Sequence, residues 1–193
     1  MDKKDIILAG VGGQGILSIA TVIGWAALDQ NLHLKQAEVH GMSQRGGDVQ
    51  SNLRLSRERI WSDLIPKGGC DLILSLEPME ALRYLPWLAP DGWIVTNTTP
   101  FVNIPNYPEM DDIHKELASV GRVVSVDCDA IAKDAGSPKS ANMVLLGASA
   151  SVMEIIDPEK LREGIAEVFA RKGEKIVEMN IAAFNAGLEA SKK

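Results

Sequence analysis

Apolar residues fall along this chain in short unbroken runs that alternate with longer periodic stretches. Ile6, Ile7, Leu8 and Ala9 form a short apolar run that ends in glycines, the pattern of a strand buried in a parallel sheet. From Gln14 to about Asp29 the chain is apolar nearly all round (Ile16, Leu17, Ile19, Val22, Ile23, Trp25, Ala26, Leu28), which predicts a helix with little exposed face. A second strand is predicted over Leu34 to Val39, followed by a polar, glycine-rich loop from His40 to Asp48. Val49 to Ser56 alternates. Val49, Ser51, Leu53 and Leu55 face one side while Gln50, Asn52 and Arg54 face the other, so a half-solvated strand is expected, antiparallel or near an edge. Arg59, Ile60 and Trp61 are expected to continue that hairpin after a turn at Arg57 and Glu58.

The alternation goes on toward the C-terminus. Strands are predicted over Asp71 to Leu76, Trp93 to Thr96 and Arg122 to Val126, and short helices over Met79 to Leu88, Asp111 to Val120 and Cys128 to Ala135. Residues 97–109, rich in Pro, Asn and Thr, are a loop, and Gly136, Ser137 and Pro138 stop the helix before them. Asn142 to Ile156 is an apolar helix without charge until Glu154. Asp157 followed by Pro158 restarts the chain as a capped helix that Gly173 ends. A last helix carries Val177, Ile181, Phe184 and Leu188 on one stripe. Strands alternating with helices imply an α/β fold: a three-layer Rossmann-like domain over residues 1–193, its sheet mainly parallel with an antiparallel hairpin element, and helices on both faces.

Composition narrows the function classes. With 193 residues, 46% hydrophobic and 24% charged, the chain can bury a full core without disulfides or a metal. A net charge of −6 argues against binding to nucleic acid or an anionic membrane. The segment from Met1 to Asp5 has the wrong shape for a signal peptide, and no apolar run is long enough to cross a membrane. Only Cys70 and Cys128 are present, which fits a reducing cytoplasm and excludes an all-cysteine iron–sulfur cluster held by this chain alone.

The chemistry-bearing segment is Gly10 to Gly15. It matches G-x-G-x-x-G through Gly10, Gly12 and Gly15, with Gly13 and Gln14 between, and it lies between a strand and a helix. Glycines let a bound group approach the backbone, and the helix start offers free N–H donors and positive potential for a phosphate or carboxylate. Glu38 stands at roughly the distance of the ribose-binding acid of a dinucleotide site. Three readings stay open: an anion site, a dinucleotide site, and glycines that only permit close helix-on-strand packing. A second cluster, Ser43, Gln44, Arg45, Gly46 and Gly47 after Glu38 and His40, follows the second strand. In a parallel sheet its loop sits beside the first, at the carboxyl edge, and Arg45 can then reach an anion as a two-pronged donor. The alternative is a solvated hairpin entry. His33, His40 and His114 form no metal triad, the cysteines read as inert buried thiols, and the four tryptophans as core or interface.

The pairing of Gly10–Gly15 with Ser43–Gly47 resembles the gamma-type subunits of the 2-oxoacid:ferredoxin oxidoreductase family, the likeness being strongest to the small subunits of its indolepyruvate branch. It extends through Val49–Ser56, Asp71–Pro78 and Asn142–Gly147, which makes Asn142 a further candidate. The resemblance implies a subunit without catalytic residues of its own, inactive in isolation. Its complex would convert an aryl pyruvate and coenzyme A to an aryl-acetyl-CoA, CO2 and reduced ferredoxin. Thiamine diphosphate and [4Fe-4S] clusters would belong to a larger partner subunit, with ferredoxin met through the complex and paired heterodimers favoured by closed symmetry. A pyruvate or branched-chain 2-oxoacid complex is the alternative within the family. A free-standing NAD(P)-binding enzyme or nucleotide-binding module is the alternative outside it.

Overall fold

The computed structural model describes residues 2–40 and 46–192. The first strand, β1 (Lys3–Val11), is buried from Lys4 onward and runs into helix α1 (Ile16–Asp29) through the glycines. β2 (His33–His40) and β3 (Asp48–Ser56) form an antiparallel hairpin, with Leu34 opposite Leu55 and His40 opposite Val49. β4 (Cys70–Ser75), helix α2 (Pro78–Arg83), β5 (Leu88–Asn97), α3 (Met110–Val120), β6 (Val123–Val126) and α4 (Cys128–Asp134) continue the alternation. Three helices follow: α5 (Ala141–Met153), α6 (Pro158–Phe169) and α7 (Glu174–Ala190).

The strands form one mixed sheet in the order β2-β3-β1-β4-β5-β6. Only β3 runs against its neighbours; β1, β4, β5 and β6 pair in parallel. This corrects one expectation. The second strand does not lie beside the first, because the hairpin folds β3 back into that place, where it ladders with both (Ile6 opposite Leu53, Gln36 opposite Leu53). β3 is also less wet than its alternation predicts. Asn52 is buried, and Arg54 is largely covered, because residues 57–65 do not extend the hairpin but cross the polar face of β3. Arg54 donates to the carbonyls of Ser62 and Leu64 at 3.0 and 3.1 Å, and Asn52 accepts from the Ile65 N–H at 3.3 Å.

Two hydrophobic clusters sandwich the sheet, giving three layers. Ile6, Leu8, Leu53, Leu72 and Leu74 face α1, α4, α5, α6 and α7, whereas Ile7, Ile73 and Ile94 face α2, α3 and Ile65. The C-terminal helices thus gather on one face. Each fully buried Leu or Ile contributes about 1.5–3 kcal/mol. α5 is apolar all round because it lies between the sheet and α7. The two helices cross backbone to backbone: a Cβ on Gly147 would lie 1.9 Å from the Phe184 carbonyl oxygen, and one on Gly187 2.0 Å from that of Val144. α6 starts as its sequence predicts, with Pro158 in its first turn and the Asp157 carboxylate accepting from the Glu159 N–H at 2.8 Å.

At the amino end of β1, Asp5 is buried and bound by Arg54 through two parallel hydrogen bonds of 2.8 and 3.0 Å, with Lys3 adding a third at 2.7 Å. The carboxyl end of the same strand has no such closure.

Candidate functional site

The loop from Gly10 to Gly15 crosses the carboxyl edge of the sheet, and its glycines serve different ends. A Cβ on Gly10 would meet the Gln14 Oε1 at 2.9 Å and Ile16 at 3.1 Å; one on Gly15, where φ is +91°, would meet Asn142 Nδ2 at 2.7 Å. These two positions are taken up by packing, as one of the open readings held. Gly13 differs: its φ is +106°, yet nothing lies within 4 Å of where its Cβ would be. It needs glycine for its backbone turn and faces open space.

Gln14 is turned inward. Its Oε1 accepts from the Val11 N–H at 2.7 Å, and its Nε2 donates to the Leu76 carbonyl at 3.1 Å, tying the loop to the end of β4. Asn142, in the first turn of α5, donates to the Gly15 carbonyl at 3.2 Å and accepts from the Met143 N–H at 3.0 Å. The amino ends of α1 and α5 therefore converge on one spot. Among the described residues no side chain caps α1, so the N–H groups of Ile16 and Leu17 and the positive end of its dipole are open at this edge, while the Ser18 N–H donates to the Gly15 carbonyl at 3.1 Å.

The second glycine pair joins the first directly. Gly12 N–H donates to the Gly47 carbonyl at 2.8 Å, and Gly46 N–H to the Gly12 carbonyl at 3.3 Å. The two loops meet, as the sequence led us to expect, but through the β2–β3 hairpin and not through neighbouring parallel strands. Ser43, Gln44 and Arg45 lie outside the described residues, as does the His40 side chain; the His40 backbone ends β2.

Three clefts radiate from Gly13. The first, about 400 Å3, is lined by Gly12, Leu17, Val49 and Glu38, so Glu38 does approach the glycine loop, although from an edge strand with β3 between. The second, about 580 Å3, runs over the amino ends of α1 and α5 between Lys139 and Lys172, with Ser18, Ser140 and Asn180 on its wall and Phe169, Ile176 and Met179 as apolar lining. The third, about 340 Å3, reaches Asn97 and Asp129 at the ends of β5 and α4. Two cations, free N–H groups and an apolar wall suit an elongated anion with a non-polar part. The lysines and serines of the second cleft come from segments far apart in the chain. Their one sequence signal was the Gly136, Ser137, Pro138 break, which reads equally well as a helix stop.

The remaining candidates are quiet. Both cysteines are buried; burial pushes the Cys70 thiol up to about 12 and raises that of Cys128 as well, so neither supplies a thiolate at neutral pH. Among the described residues no group of three or more His, Cys, Asp or Glu is placed to hold a metal ion, and no helix is long and apolar enough to cross a membrane.

Known proteins decide the family. The family model described as pyruvate ferredoxin/flavodoxin oxidoreductase matches residues 5–190. The chain belongs to this family. It is similar along its whole length to a subunit of such an enzyme: the indolepyruvate oxidoreductase subunit IorB of Thermococcus kodakarensis is 35% identical over 100% of this chain and 98% of its own length. The gamma subunit of a keto/oxoacid ferredoxin oxidoreductase from Geobacter sulfurreducens has the same fold, with a TM-score of 0.71 at 23% identity and 98% of each chain covered. A 2-oxoglutarate:ferredoxin oxidoreductase from Magnetococcus marinus, solved with 2-oxoglutarate, coenzyme A and succinyl-CoA bound, carries the fold within a longer chain. All of the present chain matches 31% of that one, with a TM-score of 0.77 at 22% identity. The fold thus occurs both as a separate chain and as part of a larger polypeptide.

Proposed function

We propose that the chain, acting as one gamma-type domain, is the accessory subunit of a cytoplasmic indolepyruvate:ferredoxin oxidoreductase. In this reading the complex converts an aryl pyruvate and coenzyme A to an aryl-acetyl-CoA and CO2, with reduction of ferredoxin. The likeness to IorB over essentially both full lengths carries the reading. Thiamine diphosphate and [4Fe-4S] clusters, held by a larger partner subunit, supply the carbanion chemistry and the electron path. This chain holds and orients a ligand at the edge of that centre. Gly12, Gly13 and Gly15 with the amino end of α1 receive the phosphate of coenzyme A, joined by Ser43, Gln44, Arg45, Gly46 and Gly47. Asn142 keeps the two helix starts together. Choice of 2-oxoacid rests with the partner's pocket.

Anaerobic co-purification tests this. The expected result is a brown, thiamine-containing partner and coenzyme A-dependent dye reduction that is faster with indolepyruvate or phenylpyruvate than with pyruvate. A lone colourless chain, inactive with every 2-oxoacid, overturns it. Within the active complex, Arg45→Ala is expected to raise KM for coenzyme A roughly tenfold with little change in kcat, the mark of lost ground-state binding. Unchanged kinetics would remove Arg45 from the site.

A further inference from the structure

One buried carboxylate, Glu77, stands at the root of two side-chain tethers that reach Gly46 and Asp48 at the start of β3. It stands two residues past the end of β4 and is fully buried. One oxygen accepts from the Glu80 N–H at 2.8 Å, capping α2. The other accepts from the Phe101 N–H at 3.2 Å and from the Tyr107 hydroxyl. The Ser75 hydroxyl in turn donates to the Glu77 carbonyl at 2.6 Å. Burial and the neighbouring carboxylates raise the Tyr107 hydroxyl above its usual range, so it remains a donor.

Two routes lead from Glu77 to the glycine seam. The first runs through residues 98–109. Phe101 and Tyr107 pin this segment at two points, and Asn103 between them donates to the Gly46 carbonyl at 2.6 Å. The second runs through α2. The capped helix ends at Tyr84, whose hydroxyl lies 3.1 Å from both oxygens of Asp48, with Arg83 4.0 Å from the same carboxylate. Gly46 and Gly47 then pair with Gly12. A segment rich in Pro and Asn has little reason to stay in one place, and pinning it at two points by a single buried group removes that freedom.

We infer that Glu77 is a positioning residue for the glycine loop. It sets where Gly12 and Gly13 stand at the carboxyl edge without touching ligand itself. The kinetic part of this inference rests on the coenzyme A reading given above. Glutamine has the right shape but the wrong chemistry: with only one acceptor oxygen, its amide must face the Glu80 N–H or the Phe101 N–H, donor against donor.

The test uses the co-purified complex with Glu77→Gln, Tyr107→Phe and Asn103→Ala. Asn103 is exposed and bonds only Gly46 among the described residues, so its variant folds even where the Glu77 variant does not. Amide exchange is expected to speed up roughly tenfold in peptides covering Gly12–Gly13 and Gly46–Asp48, while α5 and α7 stay protected. KM for coenzyme A should rise several-fold at unchanged kcat. Unchanged exchange at the seam in every folded variant overturns the inference. So does loosening that spreads evenly through α5 and α7, the mark of a merely structural residue. Local loosening with unchanged kinetics upholds the positioning role and removes the coenzyme A reading of the loop.

Discussion

The two ends of β1 solve opposite problems with the same backbone. At the amino end, Asp5 is closed in by Arg54 and Lys3, and Asp71 accepts from the Asp5 N–H at 2.7 Å. Charge is matched, side chains fill the space and nothing is left to offer a ligand. At the carboxyl end Gly10, Gly12, Gly13 and Gly15 remove side chains, two helix starts converge and three clefts open from one residue. The contrast shows how an α/β sheet divides its work: one edge holds the strands together, and the other keeps backbone donors exposed where crossovers leave room.

The sharpest break of this comparison is Arg54→Ala. Removing the better-buried partner leaves Asp5 with only the half-exposed Lys3 and the Ser62 and Leu64 carbonyls short of a donor; a loss of about 3 kcal/mol is expected. Denaturant unfolding measures it, and KM for coenzyme A in the surviving complex should not move. A loss under about 1 kcal/mol would mean that the amino edge is not the anchor we take it to be.

Gly15→Ala comes next, from the other edge. A Cβ there meets Asn142 and is strained in the left-handed backbone that Gly15 holds, for an expected cost of about 1–3 kcal/mol. Unlike the arginine change, it should also weaken coenzyme A binding, seen as a smaller ligand-induced rise in Tm of the complex. Equal Tm shifts in variant and native complex would separate the packing glycine from the site.

The smallest effect concerns Glu80. Burial raises its carboxyl above the ordinary value of 4.5, with Asp48 pushing the same way and Arg83 opposing. A carboxyl raised on folding binds its proton more tightly in the native state. Stability is therefore greatest below the ordinary value and declines as pH rises through the shifted one. Glu80→Gln should flatten that decline in stability-against-pH curves, an effect well under the other two. A slope that survives the change would assign it to another group.

Much of this arrangement was legible in the residues. The run at Ile6 to Ala9, the all-apolar stretch after Gln14 and the Asp157–Pro158 restart each carry local physics strong enough to survive folding. The error at β2 came from a non-local choice. The alternation at Val49 to Ser56 announced an antiparallel strand, which β3 is, but not that it would insert between β1 and β2, a choice that only pairing decides. The wetness of Asn52 and Arg54 was misjudged because residues 57–65 cover this part of the polar face by hydrogen bonding, which hydrophobic periodicity cannot register. At the site, the glycines announced themselves, but their division of labour did not. Gly10 and Gly15 are small for the sake of Gln14 and Asn142, and Asn142 stands more than a hundred residues away. Lys139, Lys172 and Asn103 carry no motif, because only the fold brings each of them to the site.

The crossing of α5 and α7 has a consequence for how the protein is made. α5 is apolar on every side, and the side away from the sheet is shielded by residues 174–190. During synthesis, β1 through α6 emerge first, so a ribosome-bound chain carries an uncovered greasy helix until those last turns appear. Since Gly147 and Gly187 leave no slack between the backbones, no other surface of comparable chemistry can substitute for α7. A chain that stalls before residue 174 is thus expected to present α5 to chaperones.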